Sequence, residues 1–262
     1  MMRSLGRTLF AVTLIALGVL GLLRGDFTAL WPSVPAHLPG RPLLAYLGGL
    51  VALTSGAGLL WPRSAGPAAR MLWICLLGWM LVFKLPPILA TPTVEVTYES
   101  GGEMAVLGAA AWVLYAEQAP AWDRRHLALA TGARGLRFAR ALYALALIAF
   151  GLSHFFYVGE TAPLVPGWLP WPTAWAYAFG CTYVAAGVAL LVGVQARLAA
   201  ALATLQMGLF TLLVWLPHVL TGPSRSQWSE FTLSWTMTAG AWVIAESWRG
   251  TPWRVARDRL PG

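Results

Sequence analysis

The sequence predicts an all-α, polytopic membrane protein: eight transmembrane helices arranged as two parallel four-helix bundle repeats. Three observations carry this expectation. Hydrophobic residues make up 58% of the 262 and charged residues only 11%, whereas soluble domains carry roughly 25% charge. Eight apolar stretches approach the ~20 residues that a helix needs to cross the hydrocarbon core. The chain also matches itself at one fixed offset.

The spans run near 5–23, 43–61, 71–90, 102–116, 138–157, 173–193, 198–220 and 231–248. In the first, Arg3 and Arg7 precede an apolar run, as in a secretory signal. The continuation Gly21-Leu22-Leu23-Arg24-Gly25-Asp26 lacks a small-x-small cleavage pattern, so a retained helix is expected. The second follows the connection Trp31-Pro32-Ser33-Val34-Pro35 and holds Gly49 and Gly56 seven residues apart, on one face. The third carries the only lysine, Lys84, just before Leu85-Pro86-Pro87. Lys84 is expected to snorkel to the interface, or else to pair with Glu99 or Glu103. The fourth is the shortest and needs a thinned bilayer or an extended flank.

A basic segment, 121–137, then divides the chain. The fifth span ends in Gly151-Leu152-Ser153-His154-Phe155-Phe156, and the connection Pro166-Gly167-Trp168-Leu169-Pro170-Trp171-Pro172 leads to the sixth, which holds Gly180 and Gly187. The seventh ends in Leu216-Pro217-His218, and the eighth opens on Gln227-Trp228-Ser229-Glu230-Phe231. Near its inner end Glu246 is placed to pair with Arg249. The domains are therefore 1–120, a cytoplasmic linker at 121–137, a second unit at 138–249 and a basic tail at 250–262.

The self-match lies at an offset of 131 residues. Pro35, Leu38 and Pro39 fall on Pro166, Leu169 and Pro170, and Ala45, Tyr46, Gly49 and Gly56 on Ala176, Tyr177, Gly180 and Gly187. Leu85-Pro86 meets Leu216-Pro217, Pro92 meets Pro223 and Glu99 meets Glu230, with no gap from Pro35 onward. Four helices per copy is an even number, so both copies insert in the same sense.

Arginine placement sets the orientation. With a cytoplasmic N-terminus the inner side carries Arg3, Arg7, Arg63, Arg70, Arg124, Arg125, Arg134, Arg137, Arg140, Arg197, Arg249, Arg254, Arg257 and Arg259. The outer side keeps Arg24, Arg41 and Arg225. Both termini are then cytoplasmic, and the formal charge of +8 serves lipid headgroups instead of nucleic acid. Cys75 and Cys181 sit inside apolar spans outside any Cys-x-x-Cys pair, which argues against dithiol exchange. Phosphate-cradling, serine-nucleophile, zinc and haem-attachment motifs are missing from the sequence.

The phrases quoted from the second copy, together with Trp175-Ala176-Tyr177, Ala185-Ala186-Gly187 and Ala196-Arg197-Leu198-Ala199, resemble the DoxX-like, DoxD-related family of bacterial integral membrane proteins. Residues 138–248 resemble it along their whole length; residues 5–117 do so more weakly and lack a histidine at the position of His154. The resemblance implies four-helix units in the bacterial inner membrane. It also implies a link to membrane redox complexes, since DoxD proteins are subunits of a thiosulfate:quinone oxidoreductase.

The candidate site gathers at the outer face. His154 ends the fifth span, His218 ends the seventh and Glu230 opens the eighth, with Trp168, Trp171 and Trp228 at the same depth. Ionisable groups near a bundle interior are functional candidates. Two imidazoles and a carboxylate suit a metal. They equally suit the carbonyls of a quinone flanked by indoles, and each also suits simple capping or headgroup contact. Lys84, Glu99 and Glu103 are the first-copy counterparts. Glu99 and Glu230 are read as first-turn residues favoured by the helix dipole. No metal is assigned; a quinone is the cofactor considered. The leading expectation is an accessory or quinone-interacting subunit of a membrane redox system, with a membrane or cytoplasmic redox partner. A small-molecule transporter or channel is the first alternative, and a scaffold recruiting a cytoplasmic partner through the arginine segment is the second.

Overall fold

The computed structural model describes residues 4–31, 34–35, 37–222 and 224–253. Pro32, Ser33, Pro223 and the inner-side Arg3, Arg254, Arg257 and Arg259 lie outside the described residues. The described residues are helical, with no strand among them. In order they form α1 (Leu5–Arg24), α2 (Arg41–Leu59), α3 (Ala65–Trp79), α4 (Leu85–Ala90), α5 (Glu95–Gln118) and α6 (Ala121–His126). Then come α7 (Gly132–Phe156), α8 (Val158–Thr161), α9 (Pro172–Val192), α10 (Ala196–Phe210), α11 (Leu216–Thr221) and α12 (Arg225–Glu246). Single π-helical turns, Met80–Lys84 and Thr211–Trp215, join α3 to α4 and α10 to α11. Each precedes a Leu-Pro pair. Proline supplies no N–H and its ring crowds the carbonyl four residues back, so the preceding turn widens.

Among the described residues six helices are long and apolar enough to cross a membrane: α1, α2, the continuous run Ala65–Ala90, α7, α9 and the continuous run Ala196–Thr221. Their outward faces are apolar. Ile74, Val82, Leu202 and Leu205 are each about half exposed or more, which water does not favour and lipid tails do. The chain is a multi-pass membrane protein on this count.

Two further helices have comparable length but less apolar character. α5 holds Glu95, Glu99, Glu103 and Glu117, and α12 holds Arg225, Glu230 and Glu246. They are central: α5 packs against α3, α7 and α12, and α12 against α1, α5 and α10. Helices enclosed by neighbours can carry polar groups that a lipid-facing helix cannot.

Several expectations change here. The fourth helix was expected at 102–116, but α5 begins at Glu95 and ends at Gln118; the extended flank is the solution found. Glu99 and Glu230 are not first-turn residues. α5 opens on Glu95, and α12 is capped by Ser224, whose Oγ accepts from the Gln227 N–H while Gln227 Oε1 accepts from the Ser224 N–H. Both carboxylates sit one turn further in, so the dipole no longer accounts for them. Lys84 does not snorkel: it is only 3% exposed, and its Nζ donates to Ser100 Oγ at 2.5 Å. Arg7, read as a headgroup anchor, is buried and donates to Gln118 Oε1 at 3.1 Å. Residues 121–137, read as a linker, hold α6 and the opening of α7. The Glu246–Arg249 pair forms at 2.5 Å.

Glycine sets the closest helix approaches. A Cβ on Gly56 would meet the Ala11 carbonyl oxygen at 2.7 Å and Ile15; one on Gly187 would meet the Ala144 carbonyl oxygen at 2.6 Å and Ile148. α1 thus lies on α2 as α7 lies on α9, because neither second helix has a side chain at the crossing. Gly56→Val or Gly187→Val is expected to cost about 1–3 kcal/mol through overpacking, read as a lower unfolding midpoint in detergent. An unchanged midpoint would mean that the helices part without penalty.

The spacing of elements repeats. α3, Met80–Lys84 and α4 begin and end 131 residues before α10, Thr211–Trp215 and α11. The pairs Ala11/Ala144, Ile15/Ile148 and Gly18/Gly151 stand two residues outside that offset.

Asp26, after α1, joins three elements on the face that carries Arg24, Arg41 and Arg225. It accepts the Phe27 N–H at 2.8 Å and pairs with Arg41 at 2.8 Å and Arg225 at 2.9 Å. Partial burial pushes its pKa up, but the Phe27 N–H, Arg41 and Arg225 outweigh that and hold the carboxyl below its usual 3.8. A depressed folded-state pKa contributes stability that is present above 3.8 and lost as pH falls through the lower folded value. Asp26→Asn is expected to remove this acid limb and to cost about 1 kcal/mol at neutral pH, since both arginines are partly hydrated. Unfolding midpoints measured from pH 3 to pH 7 test it; parallel curves for the two proteins would refute it.

Candidate functional site

A cavity of about 230 Å³ opens among α7, α9, α10 and α12 and is closed off by α5. Its wall is apolar: Phe150 from α7, Phe179 from α9, Phe210, Leu213 and Trp215 around the second π-turn, and Leu233 and Met237 from α12. Leu164, Pro166 and Leu169 of the α7–α9 connection complete it. One end is polar, with Glu99, Glu103, Ser153, His154 and Glu230, and Gln206 and Ser234 lie further along. A largely apolar hollow with a few convergent polar groups is the usual form of a small-molecule site.

A second hollow of about 560 Å³ lies beside it, lined by Asp26, Thr28, Trp31, Arg41, Ser100 and Ser229. Glu99, Glu103, Glu230 and Leu233 line both hollows. The three carboxylates therefore form the partition between a wide polar vestibule and a narrower apolar cavity. They come from the two central helices: Glu99 and Glu103 are one turn apart on α5, and Glu230 faces them from α12. Lys84 acts on Glu103 from the first π-turn.

His154 is oriented by its own helix, its Nδ1 lying 2.7 Å from the Phe150 carbonyl. A carbonyl only accepts, so Nδ1 carries the proton and Nε2 of the neutral ring is an acceptor. Tyr183 stacks obliquely against the same ring at 5.7 Å. Gln206 is fixed by donating to the Phe179 carbonyl at 3.1 Å and accepting from Thr182 Oγ1 at 2.7 Å. Thr211 shares hydrogen bonds with Ser234 at 2.6 Å and Thr238 at 3.1 Å, tying α12 to the widened turn.

Of the residues singled out in the sequence, His154, Glu230, Glu99 and Glu103 come together here. His218 does not line the cavity; its Nδ1 meets the Val214 carbonyl at 2.7 Å and its ring contacts Trp215. Trp168 is 70% exposed, Trp228 packs on Phe231, and neither lines the cavity. Among the described residues no three His, Cys, Asp or Glu side chains are grouped to hold a metal ion. Ser153 and Tyr183 were not anticipated. Ser153 adjoins His154 in the sequence, whereas Tyr183 carried no signal beyond its place on an apolar helix.

No family model, curated protein or solved structure matches this chain.

Proposed function

We propose that the protein is an eight-span bundle of two parallel four-helix units in a bacterial inner membrane, both termini cytoplasmic, whose outer cavity binds a quinone-type ligand in the service of a membrane redox system. Kinship with DoxX-like proteins is part of this reading and rests on the second-unit phrases. The lengths of α5 and α12, 24 and 22 residues, support eight spans: at ~1.5 Å per residue each exceeds the ~30 Å core. Repetition of α3, the π-turn and α4 at one offset supports two units.

The observation that carries the ligand reading is the cavity's division into an aromatic and aliphatic wall and an acid–base end. A ring with an apolar tail fits the wall. His154 Nε2 accepts a hydrogen bond and a carboxyl accepts or, when protonated, donates one, so this end can hold the oxygens of such a ring as hydroxyls or as carbonyls. The experiment is purification with native lipid, followed by mass spectrometry of extracted quinone. His154→Ala combined with Glu230→Gln is expected to lower the retained quinone about tenfold or more, as loss of two polar contacts implies. His218→Ala should leave it unchanged. Absence of quinone from the wild-type protein would end the proposal.

The shared carboxylate partition favours one second reading, passage of a small cation or protonated solute between the two hollows. Uptake into proteoliposomes that is lost in Glu99→Gln or Glu230→Gln would support transport over redox service.

A further inference from the structure

A third hollow, of about 520 Å³, lies on the outside of the bundle where α1, α10 and α12 meet. It is independent of the quinone reading. The two halves of the chain close differently on their two sides. α5 and α7 pack along their length, whereas α1 approaches α12 more sparsely and leaves a seam. α1 is held to α12 at its start, by the Gly6 N–H donating to Glu246 Oε1 at 3.1 Å, and near its middle, by Trp235 Nε1 donating to Thr13 Oγ1 at 3.1 Å.

The seam is apolar along its length and charged at one end. Leu9, Leu205, Leu209 and Leu212 line its middle with the indole of Trp242. Arg197 and Arg249 stand at the arginine-rich end, with Glu246 as the one acidic group between them. Arg249 pairs with Glu246 but is 60% exposed, so its remaining N–H groups are open. Arg197 is held by stacking over Trp253 at 4.0 Å and by donating to the Thr251 carbonyl at 2.9 Å, which presents the rest of its guanidinium along the seam. From Arg197 to Leu212 along α10 is roughly 22 Å at 1.5 Å per residue. That reaches from a headgroup plane past the middle of a ~30 Å core.

We propose that this seam binds one anionic phospholipid from the leaflet on the arginine-rich side, its phosphate on Arg197 and Arg249 and one acyl chain along α10. Paired guanidinium groups match a phosphate, the Trp253 indole beside Arg197 suits headgroup depth, and a chain-length apolar channel matches a lipid tail better than it matches a compact solute.

The test is native mass spectrometry of delipidated protein with dioleoylphosphatidylglycerol or dioleoylphosphatidylcholine. The wild-type protein is expected to retain one phosphatidylglycerol with roughly tenfold preference, as two arginines near an anionic headgroup imply. Arg197→Gln with Arg249→Gln should abolish the preference. Arg124→Gln with Arg125→Gln, the same charge change on exposed α6, should not. Gly208→Leu reads the channel without touching charge: a Cβ there lies 3.5 Å from Thr238, so the side chain enters the seam and should expel both lipids. Equal retention of the two lipids, a preference that survives loss of Arg197 and Arg249, or full occupancy in Gly208→Leu would each overturn the assignment.

Discussion

Replacing Lys84 by methionine is expected to destabilise the protein by about 3–5 kcal/mol, the penalty typical of removing one partner from a buried charge pair. The ammonium is almost fully buried, donates to Ser100, and acts on Glu103. Glu103 in turn feels Glu99 and Glu230. Without Lys84 that partition holds three carboxylates whose mutual repulsion is no longer offset from this side. The double variant Lys84→Met with Glu103→Gln should recover more than half of the loss, because it removes the stranded charge as well. Thermal unfolding in one detergent measures both. A wild-type midpoint for Lys84→Met, or a double variant no better than the single, would show that Lys84 does not balance these acids.

The second large effect belongs to Asp123. In sequence it stands in the basic middle segment, yet it is 1% exposed, accepts from Arg70 at 2.9 Å and from Tyr115 Oη at 3.0 Å. Asp123→Ala is expected to cost about 2–4 kcal/mol, chiefly by leaving a buried donor unsatisfied. Arg70 is 40% exposed and can turn to water. Tyr115 is fully buried and stacked on Trp73, so it cannot. Tyr115→Phe should therefore relieve part of the Asp123→Ala penalty, and equilibrium unfolding of the two single variants and the double variant reads the coupling. Strict additivity would count against this account.

These two residues show where sequence reading stops. The apolar runs were visible because lipid demands an unbroken stretch of them, and four of the six apolar helices lie within a few residues of the expected spans. α3 and α7 instead begin several residues early, at Ala65 and Gly132. α5 was seen only as its apolar centre, because its glutamates look like a polar flank when no neighbour is known. Glu99 and Glu230 drew attention through their equivalent positions, but their purpose was misplaced: cap residues further out, Ser224 with Gln227, had already satisfied the start of α12. His154 and His218 looked alike in sequence, each near a helix end, and each even bonds the carbonyl four residues back. They differ only in which way that turn of helix faces.

Composition and spacing by themselves determined that this chain is helical and membrane-embedded, and they located the glycines that bring α1 onto α2 and α7 onto α9. Those properties follow from local chemistry: apolar length and missing side chains. The tertiary structure alone decided that α5 and α12 lie innermost and that three carboxylates and one lysine share a partition. It also decided that His154 enters the cavity while His218 does not. Such outcomes depend on helix rotation and on which neighbours enclose a polar face, and neither is written in the hydrophobic pattern of any single segment.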